Sequence, residues 1–510
     1  MKRREFIKLS ATGVATLYLS SHIPGLGVTD ALAANPQLNV TITDALKNMV
    51  THNTVNSAQC YFWIYQMSFN GVPIPPECPG PTLVAVNGDR IDITITNDLD
   101  EPHSFFIPGR LPTDPPLFDS GPIGPGQTFN RTFTATQSGA FLYYDNLNEP
   151  VNRVMGLHGA LIIRPSAAAP GNKFTPYDAA NVTPHVQNLF NDFGGTAHWP
   201  GLAWEQGVGV DPGPGVNPFT ANSDYVPPFR QYVWLTHQAS PNLFAEVGNL
   251  APGVLYDPQK FMDAFLRDPF SPTKANRVPQ YFTINGQSGF FGHFSPGVTP
   301  MGRVGEPCVV HILNAGLWTH SMHMHANHFF ITSINGTVND NPIWVDVYTV
   351  KPMDRIDYTI PYMRPPDTGN VRGIGYPDTP LTTINGRPCW PPVEEFALEL
   401  PPKGAVFVPP AVPPTDINGN VVDLGQLMSP LCYPMHDHSE PSQTAQGGNY
   451  NCGLISGAYF LGDRNTPGHL NFPMDPDFAM MYRNTRGVSG SGGSVTEPAG
   501  PPPNGYALLP

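Results

Sequence analysis

Four histidines fall within nine residues of the stretch WTHSMHMHANHFF, Trp318 to Phe330: His320, His323, His325 and His328. A second stretch, PMHDHSEPS from Pro434 to Ser442, repeats the H-x-H spacing at His436 and His438. On an extended strand alternate side chains share a face, so His323 and His325 point together, as do His436 and His438. Two such strands side by side converge four imidazoles. Imidazole suits copper, zinc, iron or nickel, whereas calcium and magnesium take oxygen ligands, so the pattern implies a transition-metal site. Single histidines are ordinarily hydrogen-bonded structural residues; two H-x-H pairs, each beside a methionine, set this pattern apart. Met322, Met324 and Met435 do not fix the metal, because a thioether favours Cu(I) but a strand methionine is as readily a core filler.

The elements that must position these side chains read as β-strands. The 510 residues include 50 Gly and 61 Pro, only 13% are charged, and long amphipathic helical patterns are scarce. PTLVAVNGDRIDITITN, Pro81 to Asn97, turns at Gly88-Asp89 and then alternates through Ile91, Ile93 and Ile95. Further strands follow in GALII near residue 160, QYVWLTH from Gln231, YFTINGQSG from Tyr281, GEPCVVHILNAG from Gly305 and WVDVYTVKPMDRIDYTI from Trp344. The expected architecture is all-β, with tandem sandwiches over 35–166 and 227–480. A linker or poorly marked intermediate region lies between them at 167–226, a Pro-rich insertion at 364–430 and a flexible tail at 487–510.

Residues 1–33 read as a targeting segment. Arg3 and Arg4 in KRREFIK precede a modest apolar run, and Ala31-Leu32-Ala33 forms a small-residue cleavage site. That order fits twin-arginine export to a bacterial periplasm or cell exterior, with the export machinery as a partner. No other apolar run reaches the length needed to span a bilayer. A net charge of −14 argues against nucleic acid or anionic lipid as a partner, since both demand a basic patch. Six cysteines in an exported chain allow three disulfides; near-neighbour pairing suggests Cys60 with Cys78 and Cys432 with Cys452, leaving Cys308 with Cys389.

GEPCVVHILNAG followed by HSMHMH and then DVYTVKPMDRID resembles the last cupredoxin domain of multicopper oxidases, whose H-x-x-H-x-H motif matches His320, His323 and His325. PTLVAVNGDRIDITITNDL and MGLHGALIIRP resemble their first domain. The resemblance implies Greek-key cupredoxin folds and copper, but its metal chemistry carries over in part. Phe106 and Pro108, and Tyr144 and Asn146, stand where the family's first domain supplies cluster histidines. His436 and His438 match the terminal H-C-H-x-x-x-H motif, yet Asp437 occupies the position of the blue-copper thiolate and Ser442 that of the distal histidine. Without a thiolate an ordinary blue site is excluded.

The surviving set is His323, His325, His436 and His438, with His320 adjacent, able to hold one or two copper ions. Asp437 should face away from its flanking histidines and act behind the ligands, and Glu440 is either an orienting base or a solvated loop residue. The first function this implies is an exported copper oxidoreductase using dioxygen, with a small molecule or a metal ion as substrate. The alternative is a copper-free or copper-storing envelope scaffold.

Overall fold

The computed structural model describes residues 35–50, 57–165, 175–194, 230–266, 281–288, 298–303, 308–324, 328–360, 431–439 and 453–462, together with 7–8, 16–19, 382–384, 387–389 and 442. Of the segment 1–33, the two short strands Ile7–Lys8 and Thr16–Tyr18 pair in parallel with Gln37–Val50 and Thr82–Val86. The tail, most of the insertion, His325 and Glu440 lie outside the described residues.

The chain is all-β, built from two sandwiches of the same plan. In the first, one sheet runs Thr128–Thr134, Arg90–Asn97, Gln37–Val50, Ser57–Phe69 and Val72–Pro73, and the facing sheet orders Thr82–Val86, His158–Arg164, Gly139–Tyr144, Phe106–Ile107 and Phe118–Asp119. The alternation through Ile91, Ile93 and Ile95 puts all three into the core between these sheets, while the intervening residues are half-exposed. In the second sandwich, one sheet runs Tyr281–Ile284, Arg230–Ala239, Cys308–Asn314, Arg355–Ile360, Phe329–Ile334 and Thr337–Val345. Its partner orders Met301–Arg303, Ile455–Gly462, Leu431–Asp437, His320–Met324 and Val347–Val350. The two histidine stretches are thus neighbouring antiparallel strands.

Helices hide in the loop-like text. Pro184–Gly194 buries Val186, Leu189 and Phe190 against Phe330 and Val338 of the second sandwich, so part of the intermediate region is packed structure. Pro241–Gly248 and Pro258–Phe265 cover the first sandwich with Leu243, Phe244, Phe261 and Phe265, and Asp257 caps the latter by accepting from the amides of Gln259 and Lys260.

A shared apolar layer joins the sandwiches: Val84, Leu142, Ala160 and Ile162 of the first meet Val233, Leu235, Leu313 and Ala315 of the second. Polar ties flank it. The buried Arg153 guanidinium donates to the carbonyls of Ala315 and Gly316, Lys47 Nζ donates to the Cys78 and Gly286 carbonyls at 2.7 and 2.9 Å, and Arg355 reaches the Arg110 carbonyl at 2.7 Å. The expected Cys60–Cys78 disulfide is not formed: both are buried thiols, with Cys60 Sγ directed to the Tyr61 carbonyl and Cys78 Sγ to that of Gly156. The two sulfurs approach different backbone groups. The remaining pairings involve Cys452 and the side chains of Cys389 and Cys432, outside the described residues.

His158 and His237 meet across this interface with ring centroids 4.4 Å apart, and each bonds a backbone carbonyl, of Arg153 and Val154 respectively, at 2.8 Å. Burial pushes His158 down to about 3 and holds His237 well below the ordinary imidazole range. Both stay neutral in the fold, whereas in the unfolded chain they protonate near pH 6.5. Stability from this pair is therefore complete above about pH 6.5 and drains as pH falls, by roughly 1.4 kcal/mol per pH unit for each ring. Urea unfolding followed between pH 6 and 4.5 should show that slope, and His158→Asn should reduce it by about one proton's worth; an unchanged slope would contradict the assignment.

Candidate metal centre

The sheet period sorts the histidine strand into two faces. Along His320–Met324, residues 320, 322 and 324 are buried and residues 321 and 323 are half-exposed. The neighbouring strand aligns Met322 with Asp437, His323 with His436 and Met324 with Met435. Cross-strand partners share a face, so the methionines and Asp437 belong to the core side while His323 and His436 stand together on the other.

On that outer side His323, His436 and His438 converge, with one ring nitrogen from each lying within 4.8 Å of the others. Their ring centroids are 4.7 to 5.5 Å apart. His323 Nδ1 donates to the Asp346 carbonyl at 3.0 Å and His436 Nδ1 to the Asp437 carbonyl at 3.1 Å, so a metal held here would take Nε2 of each. Nitrogens this close need only small side-chain adjustments to reach the distance of about 2.0–2.1 Å that imidazole takes to a first-row metal. The donor set fits copper, zinc, iron or nickel, and three imidazoles leave coordination positions open for a further ligand. Met322, Met324 and Met435 are buried behind the sheet and supply core packing rather than thioether ligands. His438 is the exposed member and borders a groove of about 720 Å³ whose lining includes Ser321, Tyr348, Thr349 and Lys351.

His320 takes no part in this convergence. It is fully buried on the core face, its Nδ1 donating to Asp437 Oδ2 at 2.7 Å while the Gln238 amide approaches Nε2 at 2.8 Å. Gln238 is itself fixed, because its Oε1 accepts from the Leu317 and Trp318 amides. Both ring nitrogens of His320 are thereby engaged. Asp437 faces away from its flanking histidines and gathers four donors: His320 Nδ1 and Ser442 Oγ on Oδ2, the Ser321 and Ser439 amides on Oδ1. Burial pushes its carboxyl up, but the adjacent His320 and these hydrogen bonds outweigh burial and hold it below the ordinary carboxylate range.

Sequence reasoning missed Gln238 and the orienting carbonyl of Asp346, neither of which has a motif. It also missed an echo in the first sandwich. HSFFIP at 103–108 parallels HSMHMH at 320–325, and YDN at 144–146 parallels HDH at 436–438. Tyr144 pairs with Phe106 as His436 pairs with His323, and the ring pairs are T-shaped at 5.4 and 5.5 Å. An internal alignment of H-S and of the central Asp would have revealed it. His103, like His320, is buried, with Nδ1 2.6 Å from a carboxylate, that of Asp145; although burial opposes it, Asp145 and Glu101 raise the His103 pKa.

Residues 65–168 match the family model described as multicopper oxidase. Most of the first sandwich falls within this match. L-ascorbate oxidase of Cucurbita pepo var. melopepo is 34% identical over 112 residues, which is 20% of each chain. Laccase 1 of Metarhizium acridum is 33% identical over 95 residues, 18% of this chain and 15% of its own. The chain therefore spans a fifth or less of these curated relatives. A blue copper oxidase from Nitrosomonas europaea aligns over 86% of this chain and 91% of its own at 16% identity and a TM-score of 0.44. The family match falls in the first sandwich, where Phe106, Tyr144 and Asn146 stand at the positions equivalent to the histidine triad. The triad itself rests on its geometry.

Gln238→Leu should strip His320 Nε2 of its amide partner and leave two backbone N–H groups without an acceptor. Equilibrium unfolding should register a loss of about 1–3 kcal/mol. A neutral result would mean that this network is not satisfied as described.

Proposed function

We propose that the chain is an exported copper oxidoreductase of the multicopper-oxidase superfamily. Its non-blue mono- or dinuclear copper site is held by His323, His436 and His438, with His325 as the fourth imidazole. The observation that carries this reading is the convergence of three imidazoles on one face of two adjacent strands. Copper bound there supplies one-electron chemistry between Cu(I) and Cu(II), with dioxygen as the terminal oxidant. The absence of a thiolate among the family-equivalent positions, where Asp437 and Ser442 stand, argues for a centre without the blue-copper relay.

The protein's own contribution is orientation and access. The Asp346 and Asp437 carbonyls hold the imidazoles of His323 and His436 in one tautomer. The groove beside His438 gives a small reductant, organic or metallic, a route to the ligand sphere itself. Arg3, Arg4 and the Ala31-Leu32-Ala33 site support twin-arginine export, and no described helix is long and apolar enough to cross a membrane. A second reading, a copper-free or copper-storing scaffold, draws on the aromatic replacements at Phe106 and Tyr144 in the half that matches the family.

Copper reconstitution of the mature protein decides between them. The expected result is one or two coppers per chain, no intense thiolate-to-copper absorption, and dioxygen uptake with a phenol or Mn(II). A His436→Ala, His438→Ala double variant should lose both metal and uptake. Wild-type protein binding no more copper than the double variant would replace the oxidase with the scaffold, and tight copper without any uptake would replace it with storage.

A further inference from the structure

The two sandwiches carry the same buried device. In the second, Asp437 accepts on Oδ2 from His320 Nδ1 at 2.7 Å and Ser442 Oγ at 2.6 Å, and on Oδ1 from the Ser321 amide at 2.6 Å and the Ser439 amide at 3.1 Å. In the first, Asp145 accepts on Oδ2 from His103 Nδ1 at 2.6 Å and Asn152 Nδ2 at 3.0 Å, and on Oδ1 from Ser104 Oγ at 2.7 Å and the Leu147 amide at 2.9 Å. Each carboxylate is fully buried, takes four donors divided two to each oxygen, bonds a histidine on the neighbouring chain segment, and receives the amide two residues ahead of it. The serine after each histidine supplies a further donor, its hydroxyl in one case and its amide in the other. Each also ties the residue after the aspartate: the His438 amide donates to the Ser321 carbonyl at 2.9 Å, and the Asn146 amide to Ser104 Oγ at 3.1 Å.

The outer faces above the two devices differ completely. Over Asp437 stand His323, His436 and His438, and over Asp145 the cross-strand pair Phe106 and Tyr144, while Asn146, at the position corresponding to His438, accepts through Oδ1 from Ser104 Oγ at 2.8 Å. The device is therefore complete where no imidazole set exists. A carboxylate with four directed donors fixes both strands it joins, since losing any one donor from a buried charge is costly.

We propose that the His–Asp pair is a strand clamp present in both halves of the chain, and that it sets the backbone geometry on which a cross-strand imidazole triad can be mounted. Asp437 is on this account a positioning residue, which pre-arranges the imidazoles of His323, His436 and His438 without touching the metal. The first sandwich is a clamp with its triad positions filled by other side chains. The role assigned to Asp437 rests on the proposed metal site; the clamp itself does not.

The test uses the full mature chain and two kinds of variant. Asp437→Asn keeps the shape but replaces one acceptor oxygen by an amide. In the metal-free protein it should speed hydrogen exchange of the His438 amide at least tenfold, and in titrations with Cu(II) and Zn(II) it should weaken binding by roughly 10–100-fold. Asp145→Asn should speed exchange of the Asn146 amide in the first sandwich and leave metal affinity unchanged. Equal metal affinity in wild type and a folded Asp437→Asn, or equal exchange, would overturn the proposal.

Should Asp437→Asn fail to fold, a graft onto the first sandwich tests the same idea. Phe106→His, Tyr144→His and Asn146→His together, in otherwise wild-type protein, should bind one further Zn(II) or Cu(II) per chain, and adding Asp145→Asn should weaken that extra site by the same roughly 10–100-fold. No additional metal in the folded graft would overturn the clamp's mounting role. Wild-type protein that binds no metal while the graft binds one would sink the oxidase reading and leave the clamp standing.

Discussion

A carboxylate with no exposure to water must find donors for both oxygens, and in this chain that requirement fixes the centre of each sandwich. Asp437 satisfies it with four donors from two strands and the loop after them: the His320 imidazole, the Ser442 hydroxyl and the backbone amides of Ser321 and Ser439. The two histidine strands are thereby locked in one register. A slip of the His320–Met324 strand by one residue would exchange its faces, turning His323 into the core and Met322 and Met324 out to solvent. The charge beneath the sheet and the imidazoles above it are two consequences of one alignment.

The period-two logic made the candidate metal-site residues legible in the sequence alone. Alternation in HSMHM and HDH separates the residues facing outward from those facing in, and it places Asp437 behind the sheet. It could not say which neighbour each strand pairs with, because pairing between residues near 323 and near 436 is set by the intervening fold and not by local propensity. His320 illustrates the limit. Spacing makes it an adjacent candidate, while its parity puts it on the core face, where Gln238 from a strand more than eighty residues away completes its hydrogen bonding. The helix at Pro184–Gly194 was obscured for a different reason: its apolar residues are few and set among Pro, Gly, Asn and Asp, and its stability comes from packing on Phe330 and Val338.

The family match lies in the first sandwich, and the imidazole triad found among the described residues lies in the second. Both halves share the fold plan and the buried His–Asp pair, so a common scaffold has been furnished differently on its two copies. In the first, aromatic rings fill the cross-strand position at the same spacing as imidazoles in the second. On the proposed reading, chemistry follows the side chains mounted on one sheet face and not the sandwich that carries them.

X-ray absorption at the copper edge of the reconstituted protein tests the central claim most directly, because it reads the donor atoms themselves. The expected spectrum shows a shell of nitrogen and oxygen scatterers at about 2.0 Å with the multiple-scattering signature of three or four imidazoles, and no sulfur. A sulfur scatterer at bonding distance, or a shell without imidazole, would contradict it.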